Sequence, residues 1–398
     1  MEHNVSSAPK GHNSTDIMYD TFLPTDDDAF VSWIVKVIHL MIQTVCPVIV
    51  MAGTFGNIMI MLLMGRQQSA SAMNVFFVAL AASDLTSMWF GTFDLWMEYT
   101  TGFPLYNAHN VTCKLTVVIT YVSGIVSAWL LAVMTLQRAA SVLWPHRVNI
   151  MFTLKTAKRY TIGIVSIIFL LSSHFFYGAV LTPVYNGSDY ICLYPKLAPE
   201  YNFFRDFIWT WIDAIIFSLL PFAILISSNS VLIWKVSDSV RRARATVASG
   251  QSDQLSSRTK KASSLTVTLI VVSVVFFLLT GPMSFYLIIV PFVIDVGKES
   301  EKESMIIEFT YWLLTLMWYS NSAVNFYLYC LTGTKFRADT RKMLTCFKQQ
   351  KPISELPSPS VNAHLSPINT ETFNTETFNT ETFNTETVEN QIEDGNDF

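Results

Sequence analysis

Charge is scarce in this chain. Aspartate, glutamate, lysine and arginine make up 14% of its 398 residues, where a soluble domain carries about 25%. That excludes an ordinary water-soluble globular protein. Cysteine is also sparse, at five: Cys46, Cys113, Cys192, Cys330 and Cys346. No Cys-x-x-Cys pair and no Cys/His cluster occurs among them, so no zinc or cluster site is expected. No nucleophile–base pair stands out either, which argues against an enzyme, and the lone His174 is expected to be packed or hydrogen-bonded. The amino end lacks the charged, then apolar, then small-residue order of a cleaved signal peptide. The first apolar segment is therefore expected to act as its own signal. The apolar segments show no internal repeat of the kind that secondary transporters carry.

What is present is apolar. Such residues make up 51% of the chain and gather in runs of 20 or more, long enough to cross roughly 30 Å of hydrocarbon. Seven segments are expected, near 38–64, 73–97, 112–143, 160–182, 207–235, 262–293 and 305–331. They lack the alternation of barrel strands and read as helices. Pro221 and Pro282 fall inside two of them, as kinks that membrane helices tolerate. Seven of the 26 lysines and arginines fall on one side of this arrangement: Lys10, Lys36, Lys114, Lys196, Arg205, Lys298 and Lys302. The other 19 mark the cytoplasmic side. Sequons at Asn4, Asn13, Asn110 and Asn186 all fall on the sparsely basic side and are expected glycosylation sites. The amino end is then outside and the tail inside.

Three regions result: a glycosylated extracellular tail over 1–34, a membrane domain over 35–347 and a cytoplasmic tail over 348–398. Cys113 and Cys192 are the two cysteines in outer, oxidising loops, and a disulfide between them is expected. After the seventh segment, Phe336, Met343, Leu344 and Phe347 share a helical face, with Lys335, Arg337, Arg341 and Lys342 directed to water and headgroups. That pattern is an amphipathic helix on the inner leaflet, with Cys346 at its end as a palmitoylation site. The tail carries NTETF at Asn369, Asn374 and Asn379 and NTETV at Asn384. Its composition reads as disorder, and the threonines as a phosphorylation ladder or a repeat without function.

The motifs add a family. Gly56-Asn57, Leu80-Ala-Ala-Ser-Asp84, Cys113, Arg138, Pro221, Pro282 and Asn321-Ser-Ala-Val-Asn325-Phe-Tyr-Leu-Tyr329 occur in that order. Together they resemble class A, rhodopsin-like G-protein-coupled receptors over about residues 35–347. The resemblance implies an all-α, seven-helix bundle with an eighth, amphipathic helix. It also implies a ligand outside, a heterotrimeric G protein inside and arrestin at the phosphorylated tail, with no nucleic acid among the partners. Arg138 would receive the G protein, with Arg241, Arg242, Lys260 and Lys261 beside it. In the family an acid precedes this arginine and holds it when the receptor is off; here Gln137 stands there, and Ala139 replaces the following aromatic. The expected result is a weaker latch and raised basal activity.

Other departures are Leu279-Thr280-Gly281-Pro282, which lacks the family's segment-six tryptophan, and Phe326 in place of the segment-seven proline. With Asn-Ser-x-x-Asn-Phe in segment seven and Pro-His-Arg after segment three, they look like invertebrate FMRFamide-receptor-like neuropeptide receptors. By the same resemblance, Asp84 meets Asn57, Ser127, Asn321, Ser322 and Asn325. Those oxygens suit a sodium ion, though no cofactor is required. The ligand pocket is expected at Asp94, Glu98, Thr120, Tyr121, Gly124, Asp213 and Tyr319. Thr120 stands where monoamine receptors carry aspartate, and Tyr319 where opsins carry the retinal lysine. The outer acids favour a cationic, amidated peptide. The alternative is an orphan or chemosensory receptor for a small molecule, with a secondary transporter behind it.

Overall fold

The computed structural model describes residues 26–66, 71–184, 189–193, 197–248, 254–293 and 300–349. The described residues form a bundle of long helices. These are α1 (Asp26–Gly65), α2 (Ala72–Thr101), α3 (Asn110–Leu143), a short α4 (Pro145–Met151) and α5 (Leu154–Gly178). A hairpin of β1 (Val180–Val184) and β2 (Asp189–Leu193) comes next. After it come α6, which begins at Pro199 and closes with the stretch Leu220–Ala248, α7 (Gln254–Val293), α8 (Glu301–Thr332) and α9 (Thr334–Gln349). Among the described residues six helices are long and apolar enough to span a membrane: α1, α2, α3, α5, α6 and α7. The seventh, α8, has the length, at 32 residues. Its Thr315, Ser320, Asn321, Ser322 and Asn325 lower its apolarity, and all but Ser320 are buried.

Periodicity explains the packing. On α1, Ile34, Ile38, Ile42, Cys46 and Ile49 recur every three or four residues and are buried against Leu95, Leu316 and Tyr319. The opposite face is apolar too, and Val48 and Met51 are 59% and 66% exposed. A helix apolar all round belongs in lipid. The central core joins Phe76 and Leu80 of α2, Leu130 and Met134 of α3, Leu269 and Val272 of α7 and Tyr329 of α8. Ends are capped locally: Ser71 and Thr153 accept from the amides of Asn74 and Thr156, and Gly102, at φ 71°, closes α2 in the left-handed conformation.

Several expectations change. Residues 180–182, read as the end of the fourth helix, are strand. β-Branched Val180, Thr182 and Val184 favour extended backbone, and Pro183 disfavours helix at the residue before it. Leu181 lies opposite Cys192 in the antiparallel hairpin, and Cys192 is bonded to Cys113 with the Cα atoms 5.5 Å apart. The Cys192 amide also donates to Asn107 Oδ1 at 2.8 Å, and the Leu181 amide to Asn110 Oδ1 at 3.4 Å. The hairpin is thereby fixed to the start of α3. α6 reaches Ala248 and α7 begins at Gln254, so both helices run beyond the apolar segments that ended at 235 and began at 262.

Arg337 does not point to water. Its Nη1 donates to the carbonyls of Cys330 and Leu331, at 3.2 and 2.6 Å, because the last turn of α8 leaves acceptors unpaired. Phe336 and Met343 face the bundle, with Phe336 edge-on to Phe326 and Tyr329. Asn4, Asn13, Asn186, the tail and the side chains of Cys346, Arg242, Lys260 and Lys261 lie outside the described residues.

Candidate functional site

At the hairpin end a cavity of about 420 Å³ opens among α2, α3, α6, α7 and α8. That is within the range of small-ligand pockets, about 300–1,000 Å³. Glu98, Thr120, Tyr121, Asp213 and Tyr319 line it, as expected from the sequence. Asp213 accepts a hydrogen bond from the Tyr121 hydroxyl, and Glu98 accepts one from the Tyr106 hydroxyl. Burial, and then the bond to Glu98, push the Tyr106 phenol above its ordinary range, so it remains a donor at neutral pH. Among the described residues, no lysine or arginine pairs with either acid, and no cationic side chain lines the cavity. Arg205 is engaged by its neighbour Asp206 at 2.7 Å.

Two expected pocket residues sit elsewhere. Asp94 is 3% exposed, and its carboxylate accepts from the backbone amides of Leu105 and Tyr106. It shapes the loop after α2 and does not line the cavity. Gly124 lies below, against the Trp318 indole. Tyr106 and Trp318 were not among the residues expected from the sequence. The small Gly124, opposite an aromatic pair at Trp318-Tyr319, was the available signal for the second. His174 is packed among Phe175 and Trp209, at ring distances of 4.2 and 4.1 Å, with its Nδ1 3.2 Å from the Tyr201 hydroxyl.

Deeper in the bundle Asp84 is fully buried. The Ser127 hydroxyl donates to its Oδ1 at 2.6 Å and the Asn325 amide to its Oδ2 at 2.8 Å. Asn57 instead donates to the carbonyls of Ser322 and Gly53, at 2.8 and 3.0 Å, and so ties α1 to α8. Its own Oδ1 is buried without a partner. A second cavity, of about 30 Å³, is lined by Ser127, Thr280, Asn321 and Ser322. Among the described residues no group of three His, Cys, Asp or Glu side chains forms a metal site. The oxygens around Asp84 are of the hard, mostly neutral kind that suits a monovalent cation.

At the opposite end Arg138 is half-buried on α3, and its Nε has no hydrogen-bond partner. The buried Gln137 Oε1 has none either. The expected amide latch between neighbours is therefore not made in this conformation. Arg241 is exposed on α6, and Arg242 on α6 and Lys260 and Lys261 on α7 lie in the helical extensions at this end.

Seven helices, a disulfide tying the hairpin to α3, a cavity at one end and a half-buried arginine at the other define a seven-helix receptor. Residues 56–329 match the profile of the 7 transmembrane receptor (rhodopsin family), and the chain belongs to that family. It is a receptor family, not an enzyme family. Among curated proteins the chain is similar to the FMRFamide receptor of Drosophila melanogaster, 25% identical over 309 residues. That match takes in 74% of this chain and 52% of the fly protein, so the chain spans about half the length of this relative.

Proposed function

We propose that the chain is a G-protein-coupled receptor for an extracellular, cationic and amidated neuropeptide. The observation that carries this is the pair Asp213 and Glu98 in one cavity, each partnered by a phenol and neither by a cation. A carboxylate out of water calls for a counter-charge. A guanidinium supplies one with bidentate geometry, and the tyrosine and tryptophan walls suit an aromatic neighbour. The fly relative's name supports a peptide ending in Arg-Phe-amide. In this reading the hairpin end faces outward and the lysine- and arginine-rich end inward. Ligand binding then frees Arg138, with Arg241, Arg242, Lys260 and Lys261 around it, to engage a heterotrimeric G protein.

The test is a cell expressing the chain, read by calcium, cAMP and arrestin recruitment. Phe-Met-Arg-Phe-amide should give a response, and its citrulline analogue, which keeps the shape and drops the charge, should be at least tenfold weaker. Equal potency of the two peptides would sink the cationic reading. A response to a small molecule alone would favour the small-ligand alternative.

We further infer that Asp84, Ser127, Asn321, Ser322 and Asn325 hold a sodium ion in the resting receptor. The bound ion would supply charge compensation to Asp84. Replacing sodium by choline in the buffer should raise peptide affinity at least threefold in the wild type and leave Asp84→Asn unchanged. The same shift in both would remove the site from consideration.

A further inference from the structure

The two cavities share a wall. Phe217 of α6, Ser284 of α7 and Trp318 of α8 line both the outer 420 Å³ cavity and the inner 30 Å³ one. The largest of the three, Trp318, reaches α3 with the far edge of its indole ring. A Cβ added at Gly124 would come within 2.7 and 2.8 Å of its six-membered ring. Glycine is what lets the indole reach so far across the bundle. Thr280 of α7 lines the inner cavity together with Trp318, its hydroxyl turned back to the Phe276 carbonyl of its own helix at 2.7 Å, and Phe276 lines the same cavity one turn away. Tyr319, the next residue, is fitted in the same way against Gly91 of α2. One helical turn further along α8 come Asn321 and Ser322, which line the inner cavity, and then Asn325, which bonds Asp84.

We propose that the Trp318 indole, seated on Gly124, is the gate between the outer cavity and the Asp84 network. It closes the path by which small cations and water reach that network from the ligand side. The inference deepens the receptor reading and rests on the outer cavity being open to the extracellular solution. Phe217 and Ser284 form the fixed sides of the opening. Trp318 is the part that can swing, because the outer cavity of about 420 Å³ is free volume into which an indole can rotate.

The experiment places a thiol behind the gate. Ala128 lines the inner cavity, is buried and takes no part in the Asp84 hydrogen bonds. The full chain carrying Ala128→Cys is expressed at the cell surface and treated with 2-aminoethyl methanethiosulfonate, a small cationic thiol reagent. The parent chain, with its native cysteines, gives the background. With Trp318 in place the added thiol should react slowly. Trp318→Ala should speed labelling at least tenfold, and Trp318→Phe by less. Gly124→Ala, which drives the indole off its seat, should raise the rate at least threefold without touching Trp318 itself. Met283→Ala removes a side chain that lines only the outer cavity and should leave the rate unchanged.

Equal labelling rates with and without the indole would overturn the gate, as would an equal gain from Met283→Ala. Should Trp318→Ala fail to reach the surface, Trp318→Phe and Gly124→Ala carry the same comparison. The probe is the reagent and not a peptide. A receptor that ignores every amidated peptide would overturn the ligand reading and still decide the gate.

Discussion

Asp213→Asn is expected to weaken Phe-Met-Arg-Phe-amide by roughly 30-fold to several-thousand-fold, the equivalent of about 2–5 kcal/mol for truncating one partner of a buried charge pair. The substitution is nearly isosteric. Its amide oxygen can still accept from the Tyr121 hydroxyl, which now donates to Asp213, so the contact between α3 and α6 should survive. What disappears is the negative charge facing the ligand. The sharper form of the prediction is a double-mutant cycle. On the wild type the arginine peptide should exceed its citrulline analogue by tenfold or more. On Asp213→Asn the two should come within about threefold of each other, because the charge they differ by no longer has a partner. A citrulline penalty that persists in the variant would place the guanidinium elsewhere, and Glu98 is the next acid to test. Glu98→Gln should have the smaller effect. Its carboxylate already takes a hydrogen bond from Tyr106, whose backbone is in turn held by Asp94. A guanidinium placed there would therefore meet a carboxylate already hydrogen-bonded by the loop after α2.

Depth along each helix was legible in the sequence, and rotation about it was legible only in part. Seven apolar runs gave the helices. Cys113 and Cys192 paired as expected. The family resemblance named Ser127 and Asn325 as partners of Asp84, and both bond it. Asp94 shows where such reading stops. It lies one helical turn from Glu98, on the same face of α2, yet the loop after α2 curls back and its amides take the carboxylate. Nothing in the composition of Leu105-Tyr106 announces that return. A second cause is the π-helical stretches at Met88–Thr92 in α2, and at Phe204–Trp209 and Ala214–Leu219 in α6. Each extra residue per turn rotates the remainder of the helix by about 100° relative to an unbroken one. The last of them ends two residues before Pro221. The lining residues of α2 and α6 are therefore set by bulges that side-chain periodicity does not report. The hairpin escaped for a simpler reason: its first strand is as apolar as the helix before it, and an apolar run alone does not separate the two.

Gln137→Glu should lower basal nucleotide exchange, and Gln137→Ala should leave it within about twofold of wild type. The second expectation makes the first informative. In this structure neither the Gln137 Oε1 nor the Arg138 Nε has a partner among the described residues, so the amide holds nothing that alanine would release. A carboxylate at the same position changes the physics. The position is 9% exposed, and the new acid would sit beside a half-buried guanidinium, where leaving either charge unpaired is costly. A charged hydrogen bond contributes about 1.5–3 kcal/mol. That corresponds to roughly a tenfold to hundredfold shift toward the arrangement in which Arg138 is withheld from the G protein. The measurement is unstimulated exchange on a purified heterotrimeric G protein in membranes matched for receptor number. Exchange from Gln137→Glu equal to wild type would mean that Arg138 is restrained by other contacts or not at all. A rise from Gln137→Ala would mean that the amide does latch the arginine in a conformation other than this one. The expected pair of results, a fall with the acid and no change with alanine, would trace raised resting activity to one missing charge at the end of α3.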